Sequence, residues 1–209
     1  PRWCVCAGLK VIACPLPVDV LMHHREQWRP SSTGHLITRV IAGARSHVWR
    51  RERRIEVAEI RRPGRGLWTL DAAGDPIPSK VDPMTVQALV LDGSWREAST
   101  MSRVVAGWGH RVRLPMTGES RYWLRDQQEN GRFSTAEALI FLLGALGLSE
   151  HAEALRIQLE LHVYAGLRAR GSKDAALAFL QSSPLPSALP DLLAQLHVRR
   201  PREESDLLA

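Results

Sequence analysis

The chain has 209 residues, 24% charged and 44% hydrophobic, with a net charge of +6, the make-up of a globular protein long enough for one sizeable core. No stretch offers eighteen apolar residues without a charge, which argues against a membrane span, and Pro1-Arg2-Trp3-Cys4 has no signal-peptide pattern, so a cytoplasmic protein is expected. The positive balance favours a polyanionic partner, and three cysteines, an odd number, argue for a reducing compartment over a disulfide framework.

Taken in order, Val18 to Met22 read as a strand that runs out into His23-His24-Arg25-Glu26. Thr33-Gly34 then opens a helical pattern through Leu36, Ile37, Val40 and Ile41. A His and a Glu three apart at a strand end either face a substrate or pair with each other. Ser46 to Trp49 and Ile55 to Ile60 read as two further strands. Between Arg50 and Arg65 stand seven arginines, Arg50, Arg51, Arg53, Arg54, Arg61, Arg62 and Arg65, against three glutamates. They are either the solvated outer faces of a strand pair or a phosphate-contacting surface. The exclusive use of Arg, whose planar fork suits phosphate, favours the second. Gly64 to Lys80, rich in Gly and Pro, reads as a long loop, in which Trp68 is either an anchor or a stacking surface for a base.

The most informative stretch is Ala88 to Ser99. Ala88-Leu89-Val90-Leu91 suits a strand buried on both faces, and it stops at Asp92-Gly93. Ser94 with Glu97 has the spacing of a capping box, so a helix starts there, with Trp95, Ala98 and Met101 expected to face the sheet. In an open α/β sheet this is where ligands bind, beyond the carboxyl ends of the strands and against the positive end of a helix. His110 to Leu114 alternates like a strand and stops at Pro115. After Arg121-Tyr122-Trp123-Leu124-Arg125, Ser134 and Glu137 form another capping box, followed by an apolar helix from Ala138 to Leu148 that should be buried. From Ser149 the chain reads as helical, with a stop at Gly171 and a last short helix, Leu192 to His197, after Pro184, Pro186 and Pro190. There is no Gly-rich dinucleotide or Walker loop, no Gly-x-Ser-x-Gly elbow and no His-x-x-x-His metal motif.

Asp92-Gly93-Ser94-Trp95 with Ala98 resembles the signature of the DTW-domain family, whose usual form has Thr where this chain has Ser94. Met22-His23-His24-Arg25-Glu26, Pro30 to Gly34, Leu114-Pro115, Ser120 to Arg125 and Ser134 to Ala138 follow in the family's order. The resemblance implies a SPOUT-like knotted α/β domain with a mostly parallel sheet over residues 1–150, and leaves 151–209 as a helical extension packed on it. It implies an enzyme that binds S-adenosylmethionine and transfers its 3-amino-3-carboxypropyl group to N3 of a uridine in tRNA. On the same grounds Asp92, Ser94 and Trp95 are the candidate catalytic residues. Leu91, Gly93, Leu114, Pro115, Tyr122, Arg125, Ser134, Thr135 and Glu137 are the candidate cofactor ligands. His23, Arg25, Glu26 and Thr33, with Arg50, Arg51, Arg53 and Arg54, are the candidate tRNA contacts, and neither DNA nor a membrane is expected as a partner. Asp92 either draws the proton from N3 or only accepts the backbone N–H groups of its own turn. Cys4-Val-Cys6 matches half of the family's cysteine pattern. Zinc is expected only if further ligands lie upstream of Cys4. An RNA methyltransferase of the same fold and a non-catalytic RNA-binding protein are the competing readings.

Overall fold

The computed structural model describes residues 2–53, 55–125 and 132–198. Five strands form one all-parallel sheet in the order β2-β1-β4-β3-β5: β1 Val18–His23, β2 Arg45–Trp49, β3 Gly66–Pro76, β4 Val86–Asp92 and β5 His110–Arg113. Side chains alternate across β1 and β4. Val18, Val20, Met22, Ala88 and Val90 join a large core with helices α1 (Thr33–Val40), α4 (Thr135–Ala145) and α5 (Ser149–Ala169). Leu21 and Leu89 point to the other face, against Met101 and Val105 of the segment headed by α3 (Trp95–Val104). Covering on both faces is why Val20 to Met22 of β1 and Ala88 to Leu91 of β4 are continuous apolar runs. The large core continues through α6 (Lys173–Gln181), and the last described elements are α7 (Leu185–Ala188) and α8 (Pro190–His197), which begins earlier than the Leu192 start expected.

Two expectations fail here. Ile55 to Ile60 is not a strand but leads into a single helical turn, α2 (Val57–Ile60), because the Glu56 and Glu59 side chains close a capping box around it. Ile55 and Ile60 are buried at its two ends. Gly64 to Lys80 is not a loop either, since most of it is β3. Leu67, Trp68 and Thr69 are buried between β4 and β5, so Trp68 is an anchor, within a strand. The pairing with β5 shifts register between Leu70 and Asp75. Gly74 is needed there: a Cβ would lie 2.7 Å from the Arg111 backbone. The glycine that reads as loop punctuation is the device that lets an irregular strand stay paired.

Among the described residues no helix is long and apolar enough to cross a membrane.

Candidate active site

At the carboxyl ends of β4, β3 and β5 lies a cavity of about 570 Å³, within the size range of ligand pockets. Its making starts with three helix N-termini. Ser32, Ser94 and Ser134 sit in extended backbone before α1, α3 and α4, and each hydroxyl accepts from the N–H three residues on. Ser94 with Glu97 and Ser134 with Glu137 complete the expected capping boxes. The cavity gathers Leu91, Gly93 and Trp95 from the β4–α3 turn, with Thr33, Ser134 and Thr135 from the other two helix starts. Leu114, Tyr122 and Arg125 come from the chain after β5. These nine expected residues come together although they span a hundred positions of sequence.

Trp95 departs from expectation. It does not face the sheet; it is 42% exposed and lines the cavity, while Met101 is the α3 residue that is fully buried. Pro115 is exposed between Leu114 and Met116, which line the site in its place. Tyr122 contributes its ring, because its hydroxyl donates to the Ser31 carbonyl. The Arg125 guanidinium lies 5.8 Å from that ring centre, with Nη1 3.5 Å from the Gly93 carbonyl and Nη2 3.4 Å from Glu26. Such long contacts leave it able to turn toward an anion.

Asp92, Ser94 and Glu137 stand behind the lining. Glu137 accepts from the Ser134 and Arg121 N–H groups and from the Ser120 hydroxyl, so it ties the start of α4 to the chain after β5. Asp92 is buried, and its oxygens accept from the Ser32 and Thr135 hydroxyls, each at 2.7 Å. Those hydroxyls, not the backbone of the Gly93 turn, are its partners. Gly34 presses against it: a Cβ there would lie 2.6 Å from Oδ2. The carboxylate therefore clamps the starts of α1 and α4 to the end of β4.

His23 and Glu26 do not pair with each other. His23 Nδ1 lies 3.3 Å from Glu97 Oε1, and burial lowers its pKa by more than the Glu97 charge raises it, so at pH 7 it is neutral. Glu26, expected at the RNA surface, is fully buried. Its Oε1 meets Arg29 at 2.6 Å and Arg125 at 3.4 Å, while Oε2 has no hydrogen-bond partner among the described residues. Burial, with the charge of Asp92 nearby, pushes the Glu26 pKa up.

The arginines of 50 to 65 do not form one surface. Arg62 and Arg65 bond to the carbonyls of Val18 and Val86, where β1 and β4 begin, and Arg61 reaches the Trp108 carbonyl. Arg50, which follows the carboxyl end of β2, is exposed, as are Arg51 and Arg53; Arg53 lies 3.6 Å from Glu59. Arg54 is outside the described residues. A basic wall that sequence reasoning missed lies in the cavity itself, made by Arg103, Arg111 and Arg113 with Asp71. Asp71 accepts from Arg111 and from the Ser102 hydroxyl; these bonds outweigh burial and hold its pKa down. The signal was present, since the alternation of His110 to Arg113 puts Arg111 and Arg113 on one face. Cys4 and Cys6 bring two sulfurs within 3.2 Å, but among the described residues no group of three or more His, Cys, Asp or Glu converges. Two thiols do not make a four-ligand zinc site.

A parallel α/β sheet with capped helix starts around a partly apolar, arginine-walled cavity at its carboxyl edge has the make-up of a small-ligand pocket beside a basic surface. The chain belongs to the DTW-domain family: the family's model, described as the DTW domain, matches residues 1–165. This is the family of tRNA-uridine aminocarboxypropyltransferases, and membership is consistent with a tRNA-modifying transferase. No solved structure matches the chain.

Proposed function

We propose that this chain transfers the 3-amino-3-carboxypropyl group of S-adenosylmethionine to N3 of a uridine in tRNA, releasing methylthioadenosine, within a SPOUT-like knotted domain extended by the helices after residue 150. The observation that carries the reading is the cavity, in which Leu91, Gly93, Leu114, Tyr122, Arg125, Ser134 and Thr135 of a DTW domain meet. Its make-up fits the ligand. Leu91, Leu114 and Met116 offer apolar walls to an adenine, and Ser134 and Thr135 offer hydroxyls at a helix N-terminus to ribose or amine. Arg125 offers a guanidinium to the carboxylate. The sulfonium supplies three electrophilic carbons when bound, and the chain decides which one reacts by how it orients the amino-acid arm.

For N3 to attack, its proton passes to water as the new N–C bond forms, and the C–S bond breaks with its electron pair staying on the sulfur of methylthioadenosine. Asp92 is the carboxylate nearest the end of β4, yet both oxygens are committed to Ser32 and Thr135. In this reading it sets the positions of Ser32 and Thr135 at the starts of α1 and α4, and Trp95 offers its exposed ring to the uracil. Mass analysis of nucleosides from tRNA incubated with protein and S-adenosylmethionine tests the proposal. A uridine carrying the aminocarboxypropyl group, with methylthioadenosine released, is expected. S-adenosylhomocysteine with a methylated nucleoside transfers the assignment to a methyltransferase. Binding without any product leaves an RNA-binding protein.

A further inference from the structure

Trp28 is 81% exposed, the largest exposure among the big apolar side chains of the described residues. Single exposed apolar residues need no explanation, but the setting of this one is specific. It stands in the turn that leaves the carboxyl end of β1, the same edge of the sheet as the cavity. The turn is pinned on several sides. Within it, the Glu26 N–H donates to the His23 carbonyl and the Arg29 N–H to the Glu26 carbonyl. The Gln27 carbonyl meets His35 Nε2 at 2.9 Å, and the Gln27 side chain accepts from Arg50 at 3.4 Å. The indole is thus displayed from a held backbone.

Exposed cations share its turn and the end of β2 beside it, where the His24 N–H donates to the Trp49 carbonyl. Arg25, Arg29 and Arg50 are exposed, and Arg51 follows. The acids that face Arg25 and Arg29, Glu97 and Glu26, are drawn inward. One exposed carboxylate, Glu52, lies in the turn beyond Arg51. The patch therefore shows an aromatic face on two adjoining turns whose exposed charges are mostly positive. It is also wired to the cavity, since Glu26 holds Arg29 from this turn and Arg125 from the cavity wall on the same oxygen.

We infer that the Trp28 turn is a stacking platform for an unpaired nucleotide next to the uridine that enters the cavity, with Arg25, Arg50 and Arg51 taking the flanking phosphates. This rests on the tRNA reading above. The chemistry that matches an indole among guanidinium groups is a base with its phosphodiester: stacking is tolerant of base identity, and the arginines follow the backbone. A duplex offers no free base face, so the site selects loops or ends. A protein partner matched to this patch would need an acidic surface beside an apolar pocket, and that is the alternative the test separates.

The probe is unfractionated tRNA, titrated against wild type, W28A, W28F and R50A, with S-adenosylmethionine binding by calorimetry and thermal melting as controls. W28A is expected to weaken tRNA binding by roughly tenfold, as loss of one stacked base does, with the salt slope unchanged because no charge is removed. W28F restores most of the affinity. R50A lowers the salt slope by about one, as loss of one phosphate contact does. Cofactor binding and melting stay at wild-type values in all three. Equal tRNA binding by W28A and wild type overturns the inference and leaves the functional reading standing, and so does a change in self-association of W28A without a change in tRNA affinity. If wild type itself binds no tRNA, the functional reading fails and this inference with it.

Discussion

The strands β1 and β4 carry buried acids toward both ends, and the two ends are finished differently. Where they begin, Asp19 is saturated: Arg45 at 2.7 Å, His47 at 2.9 Å, Arg62 at 3.1 Å and Gln87 at 2.7 Å share its two oxygens. Burial alone would raise its pKa, but these bonds and the charges of Arg62 and Arg45 outweigh burial and hold it below 3.8. Where the strands end, Asp92 has two hydroxyls and, among the described residues, no guanidinium, and Glu26 has Arg29 and Arg125 on one oxygen. A carboxylate whose partners are complete holds elements together and does nothing else. One that lacks a full set of charged partners, at the ligand edge of a parallel sheet, marks a place where electrostatic compensation has been left to be adjusted.

The sharpest way to break this contrast is at the saturated end. Asp19→Ala leaves Arg62 and His47 without their acid and is expected to cost about 3–5 kcal/mol of stability, the usual result of removing one partner of a buried ion pair. Urea unfolding measures it, and a loss under 1 kcal/mol would mean that the network is decorative. The sign with pH follows from the lowered pKa. Asp19 stabilises the fold above its unfolded value, near 3.8, and that contribution is lost as pH falls through the lower folded value. The acid limb of a stability-against-pH curve should therefore be shallower in Asp19→Asn than in wild type.

At the other end the next largest effect is on ligand binding. Arg125→Ala removes a cavity guanidinium whose own contacts are long, 3.4 and 3.5 Å, so the fold should barely register the change. Loss of a charged hydrogen bond to the ligand carboxylate is worth about 1.5–3 kcal/mol, so affinity for S-adenosylmethionine should fall by ten- to a hundredfold. Calorimetry with unaltered melting is the expected pairing of results. An unchanged affinity would move the carboxylate to the Arg103, Arg111 and Arg113 wall.

A smaller loss separates scaffold from chemistry at the helix starts. Ser134→Ala removes one N-cap and should cost about 1 kcal/mol in thermal or urea unfolding, since Glu137 keeps its bonds to Ser120 and Arg121. These caps were the most legible part of the site, because a capping box is written within four residues and needs nothing from elsewhere. β4 was legible for a related reason, being an apolar run bounded by its own stop signals. What did not show in the sequence depends on distance along the chain. The partners of Asp92 lie 60 and 43 residues away, and Arg125 meets Glu26 across 99. β3 was hidden because its burial comes from two neighbours, while its Gly66 and Gly74 carry the local signature of a loop. Spacing left open whether His23 and Glu26 face a substrate or pair with each other; the turn between them sends one side chain to Glu97 and the other to two arginines.

The finest test sets an acid-to-amide change at Glu26 beside the same change at Asp19. Glu26 has its pKa raised, by burial first and by the Asp92 charge second, against the pull of Arg125 and Arg29. A group whose folded pKa is raised contributes stability below its unfolded value and loses it as pH rises through the folded value, so ionisation of Glu26 weakens the fold. Glu26→Gln has nearly the same shape, removes that charge and gives up one close pairing with Arg29, which is itself about half exposed. The two changes oppose each other, and the net effect on unfolding at pH 7 is expected within about 1 kcal/mol of zero, where an exposed pairing partner contributes little. The pH dependence discriminates further. Wild type should lose stability relative to the Gln variant as pH rises through the raised pKa, the reverse of the difference expected between wild type and Asp19→Asn. If Glu26→Gln instead costs as much as Asp19→Ala, the two ends of the strands are built alike, and the incomplete pairing of Glu26 is of no consequence.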